Sequence, residues 1–157
     1  MGSLVACAVA LGSNLGDRVA HLDFAVAELR ALLKDLQVSR YLNTVPVGVS
    51  GPQPLYLNAA AVGRTSMAPA ALLERLLDIE RARGRERPGP NAPRTLDLDL
   101  ILYGDLVVDE PCLQLPHPRF RERMFVLEPL VEIAATLRDP VTGRTVRQLR
   151  DQLSERT

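Results

Sequence analysis

Hydrophobic and polar positions along the chain predict strands and helices in turn. An apolar run at residues 4–11 predicts a buried strand, and Gly12-Ser13-Asn14 then turns the chain. Ser13 or Asn14 is the expected N-cap of a helix with Asp17 in its first turn. Leucine and valine recur at three- and four-residue steps to about residue 35, which predicts an amphipathic helix covering a sheet face. Its apolar stripe consists of Leu15, Val19, Leu22, Val26, Leu29 and Leu33.

The next part of the chain predicts two strands, a long loop and a second helix. Residues 36–44 and 55–64 read as strands, and residues 45–54 between them contain too many prolines and glycines for a regular element. Pro69 suits the first turn of a helix that ends at Gly84. Residues 85–93 then form a polar loop with three prolines, which we expect to be mobile without ligand.

Leucine and aspartate alternate at residues 96–100, which predicts a strand with one apolar and one acidic face. A turn at Gly104-Asp105 and a short strand at residues 106–108 follow. The order strand, helix, strand, strand, helix, strand is the split βαβ pattern. We therefore expect one domain, residues 1–157, with an α+β, ferredoxin-like βαββαβ sandwich: an antiparallel sheet, helices on one face, and a C-terminal extension. A short helix is expected in the extension at residues 146–152.

Asp97 and Asp99 share one face of the predicted strand, with their Cβ atoms about 7 Å apart. Two like charges side by side on a half-buried strand repel each other and lose hydration, unless a cation such as Mg²⁺ lies between them. The same alternation is also typical of an amphipathic surface strand, so the pattern alone leaves both interpretations open.

Other uses of paired acids fit less well. A helix-loop-helix calcium site needs further oxygen ligands and a glycine, whereas Leu100, Ile101 and Leu102 follow the acids here. A glycosidase normally places its two carboxylates on separate elements, and the chain has few aromatic residues for sugar stacking.

Composition narrows the possible partners. With 19 basic and 19 acidic residues the formal net charge is zero, which argues against general binding of nucleic acid or membranes. Cys7 and Cys112 belong to no paired motif, so we expect neither a disulfide framework nor a zinc site. No apolar stretch approaches the roughly 20 residues of a membrane span, and no secretion signal is evident. We expect a cytoplasmic, monomeric protein.

The polar residues around the paired acids point to a metal-bound polyphosphate. Arg85, Arg87 and Arg94 precede the strand, and a histidine with further arginines follows it. Asp97 and Asp99 can hold two Mg²⁺ ions that bridge a triphosphate, while the arginines neutralise it. Such positioning and charge stabilisation are what phosphoryl transfer needs. The chain has no P-loop motif and no protein-kinase signature.

Five motifs give the chain a resemblance to a known family. It resembles 6-hydroxymethyl-7,8-dihydropterin pyrophosphokinase of folate biosynthesis, with the motifs in the family's order over nearly the whole length. The motifs are Gly12-Ser13-Asn14, Tyr56-Leu57-Asn58-Ala59-Ala60, Ile79-Glu80 with Gly84-Arg85, Pro93-Arg94-Thr95-Leu96-Asp97-Leu98-Asp99, and Leu115-Pro116-His117 with Arg123 and Phe125.

The resemblance implies an activity and a set of site residues. The activity is transfer of the β,γ-pyrophosphate of ATP to the pterin hydroxymethyl group, leaving AMP, with two Mg²⁺ ions on Asp97 and Asp99. The implied catalytic residues are Arg85, Arg94, Asp97 and Asp99. The implied ATP contacts are Glu80, Arg87, Arg94, Leu100, His117 and Arg123. The implied pterin contacts are Thr44, Val47, Tyr56, Asn58, Asp97 and Phe125, with Asn58 on the pterin edge and Phe125 stacked on its ring.

Some positions depart from the family pattern, and other functions remain as rivals. Many members carry a tryptophan just before the Pro-Arg-Thr block, and this chain has none. Leu77 and Pro118 also differ from residues found in some members. Taken singly, Asn58 could serve the backbone, Phe125 the core, and His117 a surface loop. The rival functions are a non-catalytic nucleotide-sensing module and ordinary Mg²⁺-dependent phosphoryl transfer or ATP hydrolysis.

Overall fold

A computed structural model describes residues 3–44, 55–84 and 95–156. The elements, in chain order, are β1 (Val5–Ser13), α1 (Arg18–Leu32), β2 (Lys34–Val38), β3 (Leu42–Thr44), β4 (Tyr56–Thr65), α2 (Pro69–Gly84), β5 (Asp97–Tyr103), β6 (Val108–Glu110), β7 (Leu113–Leu115), a 3₁₀ turn (Phe120–Glu122), α3 (Met124–Ala134) and α4 (Val146–Glu155).

The main sheet is antiparallel and has the order β2-β4-β1-β5, with β3 also paired to β4. A separate hairpin joins β6 and β7. Helices α1 and α2 pack on one face of the sheet, in a core that includes Leu22, Leu29, Leu72 and Leu76. The predicted α+β, ferredoxin-like class is confirmed.

The C-terminal extension covers the other face of the sheet. Helices α3 and α4 bury Leu127, Leu130 and Leu149 in a second core, together with Phe120 of the 3₁₀ turn and Ile101 of β5. Helix α3 was not among the predicted elements, because Pro129 lies inside it and an interior proline normally indicates a break. The extension therefore completes the sandwich on its second face.

Helix α1 begins later and ends earlier than the sequence predicts. Its N-cap is Asp17, whose carboxylate accepts a hydrogen bond from Ala20 N at 3.1 Å, so the expectation for Ser13 or Asn14 is wrong. The stripe is also shorter than expected, because Leu15 and Val19 are 45% and 51% exposed. Burial starts one turn into the helix, where it first reaches the sheet.

The strand predicted at residues 36–44 is split into β2 and β3. Val38 pairs with Ala61 and Leu42 with Asn58, so three residues of one strand face two of the other. Ser39 lies in this irregularity, and its hydroxyl oxygen accepts the Ala60 N–H at 2.9 Å in place of a backbone carbonyl. A side-chain acceptor thus interrupts the strand.

Candidate active site

Asp97 and Asp99 are the first and third residues of β5, and both are half-buried on the same face. Leu98 between them is buried on the opposite face, in the core under α1 and α2. Asp97 pairs with Gly12 of β1 and Asp99 with Ala10. The predicted alternation is confirmed, and the acids lie on β5, the last strand in the order β2-β4-β1-β5.

A bulge in β5 separates this acidic part from the rest of the strand. Val9 pairs with Leu100 and Ala8 with Leu102, so Ile101 is an extra residue. Ile101 and Leu102 consequently both contribute to the second core. The strand carries acids at its start and core residues at its end on the same side of the sheet.

Asn58 and Tyr56 lie beside the acids, two strands across. Gly12 pairs with Asn58 on one side and with Asp97 on the other. The buried Asn58 accepts a hydrogen bond through its Oδ1 from the hydroxyl of Thr44. This bond fixes the side-chain amide of Asn58 at the bottom of the site.

Gly12 makes room for that amide. A Cβ atom at this position would lie 3.1 Å from Asn58 Nδ2 and 3.6 Å from Tyr56 Cδ1. The sequence predicts Gly12 in a turn, whereas in the structure it lies inside β1. The structure indicates that its missing side chain keeps the floor of the site open beneath Asn58 and Tyr56.

His117 is held against β5 by a backbone hydrogen bond. The backbone N–H of His117 donates to the Ile101 carbonyl at 2.9 Å. The imidazole Nδ1 of His117 accepts the backbone N–H of Arg119 at 3.2 Å. The neutral imidazole therefore carries its proton on Nε2. Burial, then Arg123 and Arg119, lower the pKa of His117, while Asp97 partly opposes them. His117, Arg123 and Asp97 thus share one electrostatic environment.

Arg123 and Phe125 stand at the start of α3, both half-buried. The guanidinium carbon of Arg123 lies 5.6 Å from the centre of the Phe125 ring, a cation–π contact. The 3₁₀ turn that precedes them is held by Arg121, whose Nε and Nη2 donate to Asp139 at 2.5 and 2.9 Å. Sequence reasoning missed this ion pair, because its partners are separated by 18 residues with no pattern linking them.

Two predicted nucleotide contacts have side chains engaged elsewhere. The carboxylate of Glu80 accepts the Leu98 N–H at 2.6 Å, and Leu100 is buried in the core under α1 and α2. Their predicted contact with ATP stays a prediction, which for Leu100 involves the backbone.

The remaining predicted site residues, Val47, Arg85, Arg87 and Arg94, lie outside the described residues. Those that the structure describes near one another are Thr44, Tyr56, Asn58, Asp97 and Asp99 on the sheet, with His117, Arg123 and Phe125 beside it.

Two features are absent from residues 3–44, 55–84 and 95–156. No group of three or more His, Cys, Asp or Glu side chains that could hold a metal occurs there. Within the same three stretches of chain, no helix is both long and apolar enough to cross a membrane.

Comparison with known proteins identifies relatives over most of the chain. A "2-amino-4-hydroxy-6-hydroxymethyldihydropteridine pyrophosphokinase" of Synechocystis sp. is 44% identical over 146 residues, covering 92% of this chain and 74% of that protein. The Bacillus subtilis protein of the same name is 42% identical over 137 residues, covering 86% of this chain and 81% of that protein.

A solved structure and a family model agree with these relatives. The wild-type HPPK-DHPS of Plasmodium falciparum superposes with a TM-score of 0.78 at 14% identity, covering 99% of this chain and 46% of that longer chain. The family model of 7,8-dihydro-6-hydroxymethylpterin-pyrophosphokinase (HPPK) matches residues 8–135. The resemblance predicted from the motifs is confirmed, and the chain belongs to the HPPK family.

Proposed function

We propose that this protein transfers the β,γ-pyrophosphate of ATP to the hydroxymethyl group of 6-hydroxymethyl-7,8-dihydropterin in folate biosynthesis. The hydroxyl oxygen attacks the β-phosphorus, the bond from that phosphorus to the bridging α,β-oxygen breaks, and AMP leaves with the electron pair. The hydroxyl proton passes to solvent. Family membership supports this reaction. The structural observation that supports it most is the position of Asp97 and Asp99 beside Asn58 and His117.

Asp97 and Asp99 suit magnesium. Mg²⁺ commonly takes one or two carboxylates and fills its other positions with water and phosphate oxygens, and these two half-buried carboxylates share one face. In the proposal they hold two Mg²⁺ ions, which when bound neutralise the triphosphate and lower the pKa of the pterin hydroxyl. Asp97 also lies next to the pterin.

The pterin occupies the floor formed by β3 and β4 in this proposal. Asn58 hydrogen-bonds the polar edge of the pterin, and its amide is already oriented by Thr44. Tyr56 and Phe125 supply aromatic surface, with Phe125 stacking on the ring. Thr44 adds a contact from β3, and the family resemblance assigns a further contact to Val47.

Cationic and donor groups bind the triphosphate in this proposal. His117, whose Nδ1 accepts the Arg119 N–H, donates its Nε2 proton to a phosphate oxygen, and Arg123 adds charge beside it. Arg85, Arg87 and Arg94 complete this set, with Arg85 and Arg94 stabilising the transferring phosphates. The backbone of Leu100 completes the ATP set of this proposal, whereas the Glu80 carboxylate already accepts the Leu98 N–H.

The proposal also covers assembly and location. The formal net charge of zero fits small-molecule substrates rather than nucleic acid or a membrane surface. Cys7 and Cys112 are both free thiols, as is usual in a reducing compartment. We therefore propose a monomer that acts in the cytoplasm.

Two ATP analogues test which bond breaks. With a methylene group between the α- and β-phosphorus atoms, pyrophosphate transfer is blocked. With the methylene group between β and γ, the α,β-bond remains cleavable, so AMP and a pterin bisphosphonate should still form. Chromatography should detect AMP with ATP and with the second analogue alone. Formation of ADP from ATP, or hydrolysis without pterin, would overturn the proposal in favour of ordinary phosphoryl transfer; no product would favour a binding module.

A further inference from the structure

Glu80 lies near the end of α2, and it is a buried carboxylate, 9% exposed. Just before it, Ile79 packs into the core under α1 and α2, which also holds Leu96, Leu98 and Leu100. Helix α2 thus contacts β5 from the face opposite the paired acids. Glu80 brings a charged group to this otherwise apolar contact.

The carboxylate bonds to the backbone between the two acids. Leu98 N–H donates to Glu80 Oε2 at 2.6 Å. Among the described strands, β5 is last in the order β2-β4-β1-β5, so it has a strand partner on one side only. A backbone N–H on its outer side has no ladder acceptor, and Glu80 supplies one.

The position of this bond makes it important for the acids. Asp97 is the first residue of β5, where a strand is most prone to local opening. A hydrogen bond to a charged acceptor is roughly twice as strong as a neutral one. The hydrogen bond at Leu98 therefore stabilises the part of β5 that carries the side chains of Asp97 and Asp99.

We propose that Glu80 is a positioning residue for the paired acids: it fixes the Leu98 amide, and so the spacing and direction of Asp97 and Asp99, rather than contacting the nucleotide directly. This inference rests on the proposed function, because it takes Asp97 and Asp99 as the metal-binding pair. Its physical basis is the hydrogen bond from Leu98 N–H to Glu80 Oε2.

The first measurement needs no turnover. Amide hydrogen exchange at Leu98, followed by NMR on the free protein, should be at least about tenfold faster in Glu80→Ala than in the wild type. Glu80→Gln keeps an oxygen acceptor and should retain most of the protection. Glu74→Ala, an exposed position on the same helix, is the matched control and should change nothing.

The second measurement follows metal binding and kinetics. Paramagnetic broadening by Mn²⁺ at the Asp97 and Asp99 amides should require about 10- to 100-fold more metal in Glu80→Ala, as is typical when an outer partner of a metal site is lost. The Mg²⁺ concentration for half-maximal kcat should rise by the same factor. The KM for the pterin should rise less than the Mg²⁺ requirement, because the Thr44–Asn58 hydrogen bond does not involve Glu80; a general loss of structure would raise both alike.

The outcomes separate this inference from the proposed function. If Glu80→Ala raises the KM for ATP but leaves Leu98 exchange and Mn²⁺ binding unchanged, Glu80 is a nucleotide contact and the inference is wrong. If the wild type makes no AMP, the proposed function fails, while Leu98 exchange still reports on the bond. Should Glu80→Ala not fold, Glu80→Asp, which is one methylene too short to reach Leu98, is evaluated in the same way.

Discussion

Asp97 and Asp99 are half-buried neighbours on one sheet face, where their negative charges repel and lose hydration. Replacing either with asparagine removes a metal ligand and relieves that repulsion. We expect AMP formation to fall at least about 100-fold, since even outer partners of a metal site can cost that much. The melting temperature without Mg²⁺ should stay equal or rise. Asp105→Asn, an exposed acid in the turn after β5, is the control and should keep full activity. A variant of Asp97 or Asp99 with near-normal turnover would contradict the metal assignment.

A second prediction concerns Gly12, where a substitution by alanine adds a single carbon atom. In Gly12→Ala the new Cβ would lie 3.1 Å from Asn58 Nδ2, so the amide must shift by a few tenths of an ångström. We expect the KM for the pterin to rise about tenfold, equivalent to about 1.4 kcal/mol. Stability should change little, because alanine is less costly than glycine inside a strand. Steady-state kinetics with each substrate varied would check this; an equal rise in the KM for ATP would count against a specific role under the pterin.

The two histidines of the chain provide a matched pair for titration by NMR. Burial and then Arg123 lower the pKa of His117, and burial and then Arg83 lower that of His21. Removing a nearby cation makes the imidazolium easier to form. We therefore expect Arg123→Gln to raise the pKa of His117 only, and Arg83→Gln to raise that of His21 only. Asp97→Asn should move His117 the other way, to a still lower pKa. If the pKa of His117 is unchanged in both Arg123→Gln and Asp97→Asn, His117 does not share the environment of the paired acids.

Between elements, the Arg121–Asp139 ion pair ties the 3₁₀ turn to the loop between α3 and α4. Asp139 is fully buried, and it also accepts Val141 N–H at 3.0 Å and Thr142 Oγ1–H at 2.7 Å. Burial by itself would raise the pKa of Asp139, but these hydrogen bonds and Arg121 outweigh it and the pKa is lowered. The turn that presents Arg123 and Phe125 thus depends on a residue outside the site.

Asp139→Asn should lower the free energy of unfolding by about 3 kcal/mol at pH 7, as is typical when one partner of a buried pair is removed. A lowered carboxyl pKa stabilises the fold above the unfolded pKa of about 3.9, and this contribution is lost as the pH falls through the folded value. The difference between wild type and variant should therefore shrink below about pH 4. Urea unfolding at pH 7 and pH 3 measures it. Asp35→Asn, which breaks an exposed pair with Arg64, should cost less than about 1 kcal/mol; equal losses in both variants would be inconsistent with this explanation.

The sequence predicts elements well where one local pattern decides them. The Leu-Asp alternation of β5 and the span of α2 from Pro69 to Gly84 are examples, since periodicity and helix-end signals agree there. Prediction from the sequence fails where a contact between residues far apart in the chain determines the local structure. The split at Ser39 depends on Ala60, and α3 continues through Pro129 because tertiary packing overrides local preference.

The same division holds for the site. The prediction of Asp97, Asn58, His117 and Phe125 as site residues rests on local motifs in the family's order. The bond from Glu80 to Leu98 joins residues 18 positions apart, and no pattern in the sequence encodes it. Contacts that orient a site are thus harder to predict from a sequence than the residues that bind substrate or metal.

Across the whole molecule, the site is assembled from segments far apart in the chain, from Thr44 on β3 to Phe125 on α3. The face that bears the paired acids also carries the second core, which includes helices α3 and α4. Helices α1 and α2 pack against the opposite face of the sheet. Binding at the site should therefore stabilise the complete fold rather than one part of it.

Ligand binding gives the prediction at this scale. A ligand that binds only the folded state adds about 2.7 kcal/mol of stability at 100 times its Kd. For a domain of this size that corresponds to a rise in Tm of about 5 to 10 °C. We expect this rise with Mg²⁺ plus α,β-methylene ATP, and a much smaller one with either alone, because the acids need the cation before they tolerate a triphosphate. Thermal melts with and without a chelator measure it, and Asp99→Asn should lose the shift while Asp105→Asn keeps it. Since the formal net charge is zero, long-range attraction contributes little to capture of the nucleotide. The same rise without Mg²⁺ would mean that the arginines, rather than the paired acids, dominate nucleotide binding.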